Sequence, residues 1–123
     1  MGGAKRSRSA QAVAVERAVL TDLGVVDDPY AERFLDPAMA RVLWSFRHLV
    51  PRLVWRRSVT LAGLAGRVAW HDGVVAAAVE DGVEQVVIVG AGYDSRAWRL
   101  ARQGVRYFEV DHPMTQADKR TRA

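Results

Sequence analysis

The run Gln85-Val86-Val87-Ile88-Val89-Gly90-Ala91-Gly92-Tyr93-Asp94-Ser95-Arg96 passes without a break from β-branched residues into a glycine turn and on toward a helix. Val86 to Val89 show no polar alternation, which suits a strand covered on both faces, as in a parallel sheet. A Gly-x-Gly turn between strand and helix lets backbone approach a ligand where a Cβ would collide. Downstream, Ser95 to Gln103 reads as a helix ending at Gly104, Arg106 to Asp111 as a second strand, and Pro113 as the start of another helix. These segments make one βαβ unit with a glycine turn after its first strand.

Upstream of this unit the texture is helical. Ser9 serves as N-cap for an amphipathic helix through Val13, Val15, Ala18, Val19 and Leu20 that stops near Gly24. Asp28-Pro29 opens a short helix from Tyr30 to Leu35, and Asp36-Pro37 opens another, with Val42, Leu43, Phe46 and Leu49 on its apolar face. A further helical stretch runs from Arg52 to Asp81, with a break expected near Gly63 or Gly66, and Gly82 closes it. The expected organisation is a disordered basic tail over residues 1–8, a helical cap over 9–82, and the start of a sheet domain over 83–123. Trp44, Phe46, Trp55 and Trp70 sit at helical spacing, which marks core more often than a substrate pocket.

Composition narrows the function. The chain of 123 residues is half hydrophobic, enough for one core, and it has no cysteine, so disulfide, thiolate-metal and cysteine-nucleophile chemistry are excluded. His48, His71 and His112 show no metal-ligand spacing, so no metal is expected. The net charge of +4 comes largely from arginines interleaved with apolar residues, such as Arg52, Arg56 and Arg57, which read as solvated helix faces rather than a nucleic-acid surface. No apolar leader follows the basic start, and Val59 to Val79 is interrupted by Arg67, His71 and Asp72. Neither a secretory signal nor a membrane span is expected, which makes the cytoplasm the default location.

An acidic residue at the end of the second strand would face the crevice made by the glycine turn and accept hydrogen bonds from ribose hydroxyls. Asp111 follows Gly90 by 21 residues, close to the roughly 20 such a site needs. Glu109 shares its strand face and is the alternative ribose ligand. A dinucleotide fingerprint would place glycine or alanine at Ser95, and Asp94 sets a carboxylate where a pyrophosphate would bind. A nucleoside without phosphate, such as the sulfonium S-adenosylmethionine, avoids that conflict; a nicotinamide dinucleotide is the rival.

The run from Gln85 to Leu100 closely resembles the first motif of the leucine carboxyl methyltransferase family, and Tyr107-Phe108-Glu109-Val110-Asp111-His112-Pro113 looks like its second. Lys119, Asp28-Pro29-Tyr30-Ala31 and the pair Arg67 and Asp72 are similar to further family positions, so the resemblance runs nearly end to end. It implies an α/β fold: an N-terminal helical cap and the first βαβ unit of a Rossmann-like doubly wound sheet. It also implies an S-adenosylmethionine-dependent O-methyltransferase with a small-molecule or carboxylate-bearing acceptor. By the same resemblance Gly90, Ala91 and Gly92 contact the methionine part of the cofactor, Asp111 holds the ribose, and Arg67 pairs with the cofactor carboxylate. The bland readings are a tight turn for the glycines, a helix cap for Asp111 and a surface cation for Arg67. One departure stands out. The eponym of the family carries a cofactor-binding lysine shortly before its Asp-Pro-Tyr segment, whereas Thr21 to Val26 here hold no cation.

No residue presents itself as a general base. Only twelve residues follow Asp111, too few for a crossover and a third parallel strand. Residues 1–123 are therefore expected to form an incomplete sheet, with apolar strand faces open to water and little methyl transfer of their own.

Overall fold

A computed structural model of the chain describes residues 7–123. The element order is α1 (Arg8–Asp22), α2 (Tyr30–Arg33), α3 (Pro37–Leu49), α4 (Arg52–Arg56), α5 (Val59–Glu80), β1 (Gln85–Val89), α6 (Arg96–Arg99), β2 (Arg106–Val110) and α7 (Pro113–Arg122). The architecture is mixed α/β: a helical group followed by two parallel strands in register, Gln85 opposite Arg106 through Val89 opposite Val110.

Several local expectations shift for identifiable reasons. The cap of α1 is Ser7, whose hydroxyl accepts from the Ala10 amide, and not Ser9. Ser7 and Arg8 are thus ordered, while residues 1–6 of the expected tail lie outside the described residues. The long helical stretch breaks at Ser58, which caps α5 by accepting from the Leu61 amide, and runs unbroken past Gly63 and Gly66. Helix α6 ends at Arg99, four residues short of Gln103, and the Tyr107 hydroxyl donates to the Leu100 carbonyl just past its end. No helix among the described residues is long and apolar enough to cross a membrane.

Packing centres on Phe34, which is fully buried (0 % exposed). Its ring meets Trp98 at 5.4 Å, Tyr93 at 6.2 Å and Tyr30 at 6.5 Å between centroids. Helix α1 supplies one wall through Ala14, Val15, Ala18, Val19 and Leu20. Gln11 joins two elements to it, donating to the Phe34 carbonyl and accepting from the Asp36 amide. Lys119 of α7 is buried against this cluster, its ammonium 4.9 Å from the Trp98 ring centre and 5.5 Å from that of Phe34. Burial pulls the Lys119 pKa down, and a 2.6 Å ion pair with Glu109 offsets only part of that.

The strands are covered on one face, not on both as the unbroken apolar run suggests. Val86, Ile88, Tyr107 and Glu109 are partly covered, whereas Val87 (59 % exposed), Val89 (79 %), Phe108 (45 %) and Val110 (55 %) form an open apolar face. Burial should therefore separate two phenylalanines. Phe34→Ala should cost about 3–5 kcal/mol in chemical denaturation and Phe108→Ala less than about 1 kcal/mol. Equal losses would contradict this division of the core.

Candidate functional site

The ends of the two strands meet at the glycine turn. Gly90 and Ala91 both donate to the Val110 carbonyl, at 2.7 and 3.3 Å. Gly90 (φ +66°) and Gly92 (φ +50°) lie in the left-handed region that residues with a Cβ adopt only under strain. Gly92 is needed a second time: a Cβ there would stand 3.1 Å from the Ala10 side chain of α1. The first turns of α1 thus sit directly on the glycine turn. Asp111 continues β2 into the same place, its carboxylate accepting from the Gly92 and His112 amides at 2.5 Å each.

Between α1, α5 and this turn lies a crevice of about 510 Å³. All five residues singled out in the sequence, Arg67, Gly90, Ala91, Gly92 and Asp111, line it. Arg67 is exposed and carries no ion pair among the described residues. Asp111 spends two acceptor positions on backbone amides, and a carboxylate has about four, so it keeps capacity toward the crevice. Glu109, the alternative, is held by Lys119 and is not among the lining residues. The aromatic candidates do not line it either: Trp44 and Trp70 are exposed, and Phe46 packs edge-on against Trp55 at a separate groove.

Three arginines are not the solvated faces that composition suggests. Arg17 lines the crevice yet is almost wholly buried; its Nη2 donates to the Tyr93 carbonyl at 2.5 Å, and its Nε lies 3.2 Å from Asp28. Burial draws the Arg17 pKa down and the Asp28 carboxylate opposes that shift. The Arg17 Nε and Asp28 Oδ2 remain buried without a hydrogen bond. Asp28 also stands 3.8 Å from Arg99, which pairs with Asp72 at 2.7 Å. Asp72 pairs in turn with Arg96 at 2.7 Å, and Arg96 with Asp94. Burial alone would raise the Asp72 pKa, but Arg99 and then Arg96 outweigh it and hold the carboxyl below its ordinary value. Three carboxylates and three guanidiniums therefore form one balanced, largely buried chain beneath the crevice.

Arg17, four residues before Thr21, is a cation that lines the crevice. It stands one helical turn after Ala14, on a buried face of α1. Asp94 accepts from the Arg96 amide at 2.7 Å, so a protein carboxylate already occupies the start of the single-turn α6.

Comparison with known proteins points the same way. The sequence profile of a family described as "Leucine carboxyl methyltransferase" matches residues 8–122. A protein of Mycobacterium sp. (strain MCS) is 40 % identical over 109 residues, covering 85 % of this chain and 43 % of its own length. One from Mycolicibacterium paratuberculosis (strain ATCC BAA-968 / K-10) is 35 % identical over 126 residues, with 92 % and 39 % covered. One from Mycobacterium marinum (strain ATCC BAA-535 / M) is 33 % identical over 125 residues, with 91 % and 39 % covered. All three bear the name "Putative S-adenosyl-L-methionine-dependent methyltransferase". The chain spans about two fifths of the length of these relatives.

The turn geometry distinguishes its two glycines. Gly90→Ala has open space and should cost about 1–2 kcal/mol for the left-handed backbone. Gly92→Ala adds the contact with Ala10 and should cost measurably more in urea denaturation. Equal losses would mean that α1 does not rest on the turn.

Proposed function

The chain belongs to the leucine carboxyl methyltransferase family, and we propose that it forms the cofactor-binding front of an S-adenosylmethionine-dependent O-methyltransferase with a Rossmann-like sheet. The observation that carries this reading is the convergence of the glycine turn, Asp111, Arg67 and Arg17 on one crevice at the carboxyl end of the strands. A volume of about 510 Å³ suits a nucleoside with an amino-acid tail. Gly90 to Gly92 let backbone approach the methionyl part, Asp111 accepts from ribose hydroxyls, and Arg67 with Arg17 faces the carboxylate. The carboxylate of Asp94 at the start of α6 favours this ligand over a dinucleotide, whose pyrophosphate would meet a like charge.

When bound, S-adenosylmethionine offers a methyl group on a positively charged sulfur to an oxygen nucleophile. The chain's residues serve to bind and orient. A carboxylate acceptor is ionised at neutral pH and needs no base from the protein. In this reading the acceptor site and the adenine pocket come from the remaining length seen in the relatives. The open face of Val87, Val89, Phe108 and Val110 supports that reading, and residues 1–123 alone are expected to transfer methyl groups poorly. The location is taken as cytoplasmic, with neither nucleic acid nor membrane as partner.

Calorimetric titration tests the reading. S-adenosylhomocysteine should bind more tightly than NAD, and Asp111→Ala should weaken it by roughly 10- to 150-fold, the worth of a charge-assisted hydrogen bond. Arg67→Ala should cost less. Tighter binding of NAD, or an Asp111→Ala variant with unchanged affinity, would refute it.

A further inference from the structure

Asp72 lines no part of the crevice, yet it ties the helix that carries Arg67 to α6. Helix α5 buries only Leu61, Leu64 and Val68, all in its first half. Beyond Val68, Trp70 and Val74 face solvent, while Asp72, Val75, Ala78 and Val79 are half-buried on the packed face. Among the described residues, the ion pairs joining α5 to α6 all run through Asp72, to Arg96 at 2.7 Å and Arg99 at 2.7 Å. Arg67 lies five residues earlier, about 7.5 Å along the helix axis. Its exposed side chain has no ion pair of its own, so its reach into the crevice follows from where the α5 backbone is held. Packing fixes that backbone at Val68, and the double ion pair fixes it one turn later. Arg96, at the other end of the bridge, also grips Asp94 beside the glycine turn.

We propose that Asp72 is a positioning residue that sets the span between Arg67 and the glycine turn, and thereby the affinity for the amino-acid end of the nucleoside. The inference rests on the reading of the crevice given above. It assigns Asp72 no contact with ligand. The bridge is a geometric constraint more than a source of stability, since half-buried ion pairs contribute little net free energy. Arg96 keeps Asp94 as a partner, and Arg99 keeps Asp28 nearby, if the Asp72 charge is removed.

The test compares S-adenosylhomocysteine with 5′-methylthioadenosine, which keeps the nucleoside and the sulfur but lacks the amino-acid end. Both are titrated into the full chain and followed by the amide shifts of Gly90 and Gly92. Asp72→Asn should weaken S-adenosylhomocysteine about tenfold and leave methylthioadenosine within about twofold. Should the Asp72→Asn variant fail to unfold cooperatively, Asp72→Glu keeps the charge but shifts it by one methylene. That variant should show a smaller loss with the same ligand selectivity. Proportional loss for both ligands, or loss for neither, overturns the positioning role while leaving the crevice assignment intact. A wild-type chain that binds neither ligand overturns both.

Discussion

A buried arginine holding a backbone carbonyl is the constraint on which the rest of this structure depends. Arg17 reaches from the middle of α1 to the carbonyl of Tyr93, at the end of the glycine turn, while leaning on fully buried Asp28. One side chain thereby connects the helical group, the Asp-Pro-Tyr turn and the βαβ unit. The ion pairs continue through Arg99, Asp72 and Arg96 to Asp94, and they explain why the turn, α5 and α6 meet around one crevice. A buried charge chain of this kind adds little stability over apolar packing, but removing Arg17 would strand fully buried Asp28 at a cost of roughly 3–5 kcal/mol. Its consequence is a fixed geometry. The glycine turn is set by both its own backbone and the helices that press on it.

The strands and the turn were legible because their signals are local. Four consecutive β-branched residues and two glycines at left-handed positions leave the backbone few alternatives. Gly90 and Asp111, 21 residues apart, line one crevice. What escaped the sequence depends on distant partners. The carbonyl past the end of α6 is met by a tyrosine hydroxyl on the next strand, and the covering of β1 depends on what packs on it. The burial of Arg17 depends on Asp28 and on the Tyr93 carbonyl, 11 and 76 residues away in the chain, and no local pattern shows either contact. Arginine at helical spacing read as solvated, and for Arg52, Arg56 and Arg57 it is; Arg17, Arg96 and Arg99 differ because each meets a carboxylate from another element.

The open apolar face of the two-stranded sheet and the crevice are two sides of one arrangement. Alternate residues of β1 and β2 turn toward α6 and α7 or toward water, so the side chains that fix the turn and those that await cover come from the same ten residues. Glu109 illustrates the division. One residue before Val110 and two before Asp111, it faces Lys119 on the covered side, while Asp111, past the end of the strand, is free of that alternation and bends to the Gly92 amide.

The central claim is that one crevice, floored by the glycine turn and walled by α1 and α5, takes an S-adenosyl nucleoside. A residue-by-residue map of amide shift changes in the 123-residue chain on adding S-adenosylhomocysteine addresses it most directly. The account expects changes concentrated at residues 89–94, at Asp111 and around Arg17 and Arg67. A map centred on the separate groove at Phe46 and Trp55, or one with no changes at all, would contradict it.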